Sequence, residues 1–308
     1  MEPFWPRKSS HFLACRRAVR PVHTNPDHPA AIGLSGGPDS LALVAAAAAE
    51  GKHVRAVVVD HGLQPGSADV AARAAEQAQR LDVPAEVVRV DVDTVAGTGR
   101  AIGLEAAARA ARYSALFAAA GSDADVWVAH TADDQAETLL LGALRGNPAG
   151  MAPRSDRLVR PLLFLRRAET VGACQELGLE TWDDPMNHDP AYRRVAIRQQ
   201  IIPALTELLG GDAVVPLAAT ANRIAEDRQL LESLADLEPT ADCAELAADP
   251  APVRRRRIAA WLIKNGIPVQ GDQLYAIDGL VTDWHGQGPI TLTSGRTVTR
   301  DAGHLHLV

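Results

Sequence analysis

Ala30-Ala31-Ile32-Gly33-Leu34-Ser35-Gly36-Gly37-Pro38-Asp39-Ser40-Leu41 reads in three parts. Residues 30–34 are an apolar run of the length of a buried strand, and the Ala/Leu-rich residues 41–50 read as a helix. Between them, Ser35 to Ser40 makes a strand-to-helix turn. Such a turn converges backbone N–H groups and a helix dipole on one point, which suits an anion. Gly36 and Gly37 let the backbone approach phosphate oxygens with no Cβ in the way. Pro38 fits a first helical turn, where its missing N–H costs nothing. Ser35 and Ser40 offer hydroxyls, and Asp39 offers a carboxylate to a metal ion or to the turn. Ordinary strand-to-helix turns use the same residue types, so the surroundings must decide. The spacing is that of neither common glycine-rich nucleotide motif.

Working outward, strands are expected at 53–60, 85–90 (closed by Asp91-Val92-Asp93) and 125–130, with helices at 11–20, 67–81, 102–120 and 133–144. Short strands alternating with helices predict an α/β fold, a parallel sheet with helices on both faces. Ligands in such sheets bind beyond the carboxyl ends of the strands. After Arg145-Gly146-Asn147-Pro148 the pattern changes: 146–157 reads as a Gly/Pro-rich loop, then come helices at 167–177, 192–209 and 214–237. Glu238-Pro239-Thr240 resembles a linker. Three short helices (243–248, 253–264, 271–280) and an alternating tail predict a small α+β module. The expected division is a first domain over 1–210, a helical linker over 211–240 and a small C-terminal domain over 241–308.

With 308 residues the chain can bury two cores. No apolar run approaches the length of a membrane span, so no membrane is expected. The three cysteines, Cys15, Cys174 and Cys243, are far apart with no C-x-x-C pair, which argues against a disulfide framework or metal cluster and fits a cytoplasmic protein. The net charge of −7 is unevenly spread: residues 142–168 carry six arginines, among them Arg145, Arg160, Arg166 and Arg167, against one acid, Asp156. Arg193, Arg194 and Arg198 form a second basic cluster and Arg254 to Arg257 a third. Phosphate binding responds to such clusters, so RNA is compatible with an acidic total.

Two further stretches carry chemistry. In Ala129-His130-Thr131-Ala132-Asp133-Asp134-Gln135-Ala136-Glu137-Thr138, Asp134 and Glu137 are three apart and share a helical face, suited to Mg²⁺ or a substrate ammonium. The bland alternative is helix capping, with Asp133 as cap and Glu137 completing the box. In Leu104-Glu105-Ala106-Ala107-Ala108-Arg109-Ala110-Ala111-Arg112-Tyr113, Glu105 and Arg109 are an i,i+4 pair and Arg112 can present a guanidinium to a carboxylate or phosphate.

SGGPDS resembles the pyrophosphate-binding loop of the PP-loop ATPases. In order, SGGPDS, Val59-Asp60-His61-Gly62-Leu63, LEAAARAARY, HTADDQAET, Arg145-Gly146, Arg160-Pro161-Leu162-Leu163, Trp182-Asp183-Asp184-Pro185-Met186-Asn187-His188-Asp189 and Tyr192-Arg193-Arg194-Val195-Ala196-Ile197-Arg198 resemble the tRNA(Ile)-lysidine synthase family over about residues 29 to 205. The tail is similar more loosely. Gln64, Val195 and Ala129 stand where that family commonly has Arg, Asn and Gly.

The resemblance implies a ligase that uses ATP and Mg²⁺ to adenylate the wobble cytidine of the isoleucine tRNA with a CAU anticodon, and then joins L-lysine to carbon 2. It implies ATP binding by Ser35, Gly36, Gly37, Pro38, Asp39, Ser40, Asp60 and His61, with Asp39 at the metal. Lysine would meet Asp134 and Glu137 through its ammonium and Arg109 or Arg112 through its carboxylate. Asp39, Asp134 and Glu137 would be the catalytic acids. Arg145, Arg160, Arg166, Arg194 and Arg198 would contact the tRNA, and a homodimer is compatible. A PP-loop tRNA thiolase, an ammonia-dependent ligase of the same fold and a non-enzymatic nucleotide-binding module are the rival readings.

Overall fold

In the computed structural model, β1 (Ala30–Gly33) is the strand from which the sheet grows in both directions. The structure describes residues 5–6, 8–62, 66–90, 101–235, 237–267, 269, 271–292 and 295–308. Gln64, the Asp91-Val92-Asp93 close and the Glu105 side chain lie outside the described residues. The backbone packs as two units, Met1–Glu137 with Met151–Ala219, and Thr138–Gly150 with Thr220–Val308.

In the first unit, α1 (Ser10–Val19) precedes β1, and α2 (Pro38–Ala49), β2 (Val54–Asp60), α3 (Ser67–Arg80) and β3 (Ala85–Arg89) follow. Next come α4 (Ala101–Ala120), β4 (Val126–Trp127), α5 (Ala132–Ala143), β5 (Arg154–Ser155), β6 (Leu158–Val159) and α6 (Arg167–Leu177). The strand order is β3-β2-β1-β4-β6-β5; every pair is parallel except β5–β6. After β1 the chain builds outward through β2 and β3, then returns to lay β4 on β1's other flank. That reversal opens a crevice at the carboxyl ends of β1 and β4.

The pleat sorts side chains between two cores. Ile32, Val58 and Trp127 pack with α1, α2, α3 and α6 on one face. Their neighbours Ala31, Val57 and Val126 pack against Leu116 and Ala120 of α4 on the other. α2 is buried from Ser40 to Ala47, which explains its apolar residues all round.

Three expectations are corrected. Residues 146–157 are not all loop: β5 and β6 form a hairpin whose turn uses Asp156 at φ 53°, the left-handed backbone a two-residue turn requires. The fourth strand spans only Val126–Trp127. The helix expected over 192–209 is α7 (Arg193–Ala196), a π-helical turn (Ile197–Ile201) and α8 (Ile202–Leu209). Pro203 has no N–H to donate and its ring would strike the carbonyl four residues back, so the preceding turn widens.

α9 (Val214–Leu234) leads into α10 (Cys243–Ala248), α11 (Ala251–Lys264), α12 (Gly271–Thr282) and an antiparallel meander of β7 (Ile290–Thr291), β8 (Thr297–Asp301) and β9 (His304–Leu307). Leu246, Ile258, Ile277, Leu280, Val298 and Leu305 form this module's own core. The Arg254–Arg257 cluster divides by role. Arg254 is buried against Asp278 at 2.5 Å, and Arg257 is buried against Glu245 and Asp249. Arg255 covers the Tyr275 ring, and Arg256 is half-buried and donates to Pro252 O at 2.9 Å. No single described helix is long and apolar enough to cross a membrane.

Candidate active site

The turn after β1 is wound on its own hydroxyls. Ser40 Oγ accepts from Ser35 N at 3.2 Å and donates to Gly37 O at 3.0 Å, and Ser35 Oγ lies 3.2 Å from it. Gly36 has φ +81°, and a Cβ there would touch Ala74 and Trp182 at 3.4 and 3.5 Å. Gly37 then opens α2, with Pro38 and Asp39 in its first turn. Turn, hydroxyls and helix dipole converge at one end of α2, an arrangement suited to an anion.

Asp39 is held from α6: the Thr170 hydroxyl donates to its Oδ1, and Arg167 Nε lies 3.5 Å from Oδ2. Burial pushes its carboxyl up to about 6 even though Thr170 and Arg167 pull the other way.

α5 carries the other acids. Asp134 Oδ2 accepts from the Thr131 N–H and the Thr131 hydroxyl, each at 2.8 Å. Asp134 therefore reaches back to the Thr131 N–H before α5, one half of a capping box, in place of the pair Asp133 and Glu137. Asp134 Oδ1 meets Arg167 at 3.1 Å and Arg194 at 4.0 Å. Burial would raise the Asp134 carboxyl, but Arg167, His130 and the Thr131 N–H hold it below the usual range. The Glu137 carboxylate has no exposed surface; it takes Arg198 at 2.7 Å, Arg167 at 3.2 Å and Arg194 at 3.6 Å. Asp133 pairs with Arg166 at 3.1 Å, and Arg166 also meets Asp212. Beside them a cavity of about 470 Å³ is lined by Glu137, Arg166, Arg167, Arg198, Ile202 and Asp212.

Arg167 is thus the centre of the site, although the sequence marks it only as one arginine in a basic cluster. Its charge is reinforced: burial opposes it, but Asp134, Glu137 and Asp39 together raise its pKa. Arg166, Arg194 and Arg198, expected to face RNA, direct their guanidiniums at these acids. No sequence signal tells an arginine that meets a buried carboxylate from one that meets a phosphate.

Other expected residues gather at the same edge. Asp60 ends β2 and accepts from Gly62 N at 2.9 Å, and this N–H, with Ser67, holds its carboxyl low. His61 follows, its Nδ1 buried without a hydrogen-bond partner and its pKa lowered by burial and by Arg112. Arg109 covers the Tyr113 ring at 5.1 Å and reaches its hydroxyl at 3.3 Å, while Arg112 is exposed. Arg160 donates to Ala152 O at 2.7 Å and leaves its buried Nε unpaired. His130, which the sequence assigns no role, also has an unpartnered buried Nδ1; burial, reinforced by Arg109 and Arg160, pushes it to about 3. Arg145 is exposed and belongs to the second unit.

Residues 13–205 match the PP-loop domain family. A tRNA(Ile)-lysidine synthase of Corynebacterium glutamicum is 48% identical over 98% of this chain and 96% of its own length. The chain belongs to the tRNA(Ile)-lysidine synthase family. A second tRNA(Ile)-lysidine synthase, from Corynebacterium diphtheriae, is 49% identical over 99% of both chains. Both matches run through the C-terminal module, so membership in the tRNA(Ile)-lysidine synthase family covers both units. The fold is wider than the family: a tRNA thiolase from Methanococcus maripaludis, holding a 4Fe–4S cluster, superposes with a TM-score of 0.55 at 16% identity over 80% of this chain and 88% of its own.

Proposed function

We propose that this chain adenylates the wobble cytidine of an isoleucine tRNA with a CAU anticodon and replaces the adenylate with L-lysine, giving lysidine. The observation that carries the reading is the meeting, through Arg167, of the phosphate loop acid with the two acids of α5. One edge then serves both an ATP and an amine.

Ser35, Gly36, Gly37 and Ser40 cradle the pyrophosphate that leaves when the cytosine O2 attacks the α-phosphorus. Displacement at phosphorus gains most from positioning and charge neutralisation, and the loop supplies both. Asp60 and His61 close the ATP site from the end of β2. The donor set fits Mg²⁺ in one way: Asp39 is a single hard carboxylate at the loop, suited to a cation that takes its other ligands from phosphate oxygens and water. Bound there, Mg²⁺ supplies neutralisation of the charge that builds on the leaving group.

The lysine ε-amine then attacks carbon 2 and AMP leaves. Asp134 and Glu137 receive the ammonium end, and Arg109 and Arg112 the carboxylate. Both acids already face guanidiniums, so the ammonium has to share them or displace one. Arg194 lies farther from these two acids, at 3.6 and 4.0 Å, than Arg167 and Arg198 do. One of the two carboxylates takes the proton that the ε-amine loses. Arg145 and Arg160 are the tRNA contacts least committed to acids; Arg166, Arg194 and Arg198 serve RNA only as far as their carboxylates release them. The division at 210 and 240, a cytoplasmic location and a homodimer belong to the same proposal.

The test is purified protein with ATP, Mg²⁺, labelled lysine and the CAU-anticodon tRNA. Label entering the tRNA, and lost when that cytidine is replaced, is the expected result. ATP turnover on another acceptor with no lysine incorporated overturns the reading.

A further inference from the structure

The Trp182-Asp183-Asp184-Pro185 stretch has no task in the mechanism above, yet its first residue touches the phosphate loop. Trp182 N donates to Gly36 O at 2.8 Å. A trans peptide is planar, with C=O and N–H on opposite sides, so fixing the Gly36 carbonyl outward turns the Gly37 N–H inward. That N–H faces Ser35 Oγ at a long 3.4 Å, on the side of the turn where the Ser35 and Ser40 hydroxyls meet. A donor so weakly engaged is ready for a phosphate oxygen.

Two residues earlier the same segment is tied to α3. The Gln77 side-chain amide donates to Glu180 O at 2.5 Å and accepts from Glu180 N at 3.0 Å. Both bonds go to main chain, so they set the path of residues 180–182 whatever the side chains there. Packing alone does not: a cavity of about 400 Å³ lies between α3 and the segment, bounded by Arg73, Gln77, Glu180 and Trp182. Gln77, the 180–182 backbone and the Gly36 carbonyl form a chain of hydrogen bonds ending at the loop.

We propose that Gln77 is a positioning residue for ATP: it fixes the 180–182 segment, whose Trp182 N–H orients the Gly36–Gly37 peptide toward the leaving pyrophosphate. This rests on the ATP-cleaving reading of the loop. Its effect reaches the phosphates through the backbone of residues 180–182 and Gly36.

Calorimetry of ATP and pyrophosphate binding to wild type, Gln77→Ala and Gln77→Glu tests it, together with KM for ATP and for lysine. Gln77→Ala removes both ties and should weaken ATP and pyrophosphate roughly tenfold, with KM for lysine unchanged. Gln77→Glu keeps an acceptor for the Glu180 N–H but has no donor for its carbonyl, and should fall between. ATP affinity within about twofold of wild type in Gln77→Ala overturns the proposal. So does an equal loss for ATP and lysine accompanied by a lower melting temperature, the mark of a merely structural role. Wild type that binds ATP but puts no lysine into tRNA overturns the proposed function instead, and leaves this comparison readable.

Discussion

Arg167 Nη1 and Glu137 Oε1 form an ion pair at 3.2 Å between the first turn of α6 and the second turn of α5. A carboxylate without exposed surface is stable only if paired. Arg167 also reaches Asp39 and Asp134, so one guanidinium ties the phosphate loop to the α5 acids. Arg167→Met should cost on the order of 2 kcal/mol of unfolding free energy, because a buried charge loses a partner while Arg198 and Arg194 still hold Glu137. Urea unfolding measures it. A midpoint unchanged from wild type would show that the pair contributes nothing net.

Glu137→Ala separates the two half-reactions. Pyrophosphate exchange, which reads adenylation, should survive in part, while lysine incorporation should fall at least a hundredfold. Intact lysine transfer in this variant would remove Glu137 from the lysine site.

Asp39 sets a pH dependence of stability in protein free of ATP and metal. Its folded pKa of about 6 lies above the ordinary 3.8, so between those values the folded state binds more protons and stability falls as pH rises. Asp39→Asn lacks this penalty. It should be more stable than wild type at pH 7, by on the order of 2 kcal/mol, and the difference should vanish below about pH 4. Denaturant midpoints of both proteins at pH 4, 5.5 and 7 check the sign. Equal midpoints at all three would mean that the surroundings do not disfavour the charged carboxylate.

In the C-terminal module, Arg254 and Asp278 are both buried, whereas Arg256 is half-buried and bonded to a backbone carbonyl rather than to a buried acid. Arg254→Met should destabilise by about 3 kcal/mol by leaving Asp278 short of its closest partner. Arg256→Ala should stay within about 0.5 kcal/mol of wild type. Melting curves that rank the two in the opposite order would contradict the assignment of Arg254 to structure.

Much of the fold is legible in residues 30 to 144, because strand and helix periodicity are local and glycine turns mark the joints. The hairpin of β5 and β6 is not: strands of two residues have no period, and the Asp156 turn sits in a Gly/Pro-rich stretch. Nor is the π-helical turn, since Pro203 marks a disturbance without saying what form it takes. The site divides in the same way. Ser35 to Ser40 and the acids of α5 are recognisable because each cluster is contiguous. Thr170 and Arg167 reach Asp39 from about 130 residues away, and Gln77 reaches Glu180 across 103.

The sequence by itself determined the parallel α/β sheet, the glycine turn at Ser35 to Ser40 and the family, since each is written in short runs whose spacing is local. Only the tertiary structure decided what the arginines face. A guanidinium has the same charge and reach wherever it sits in the chain, and only the folded packing brings Arg167, Arg194 and Arg198 to the buried carboxylate of Glu137.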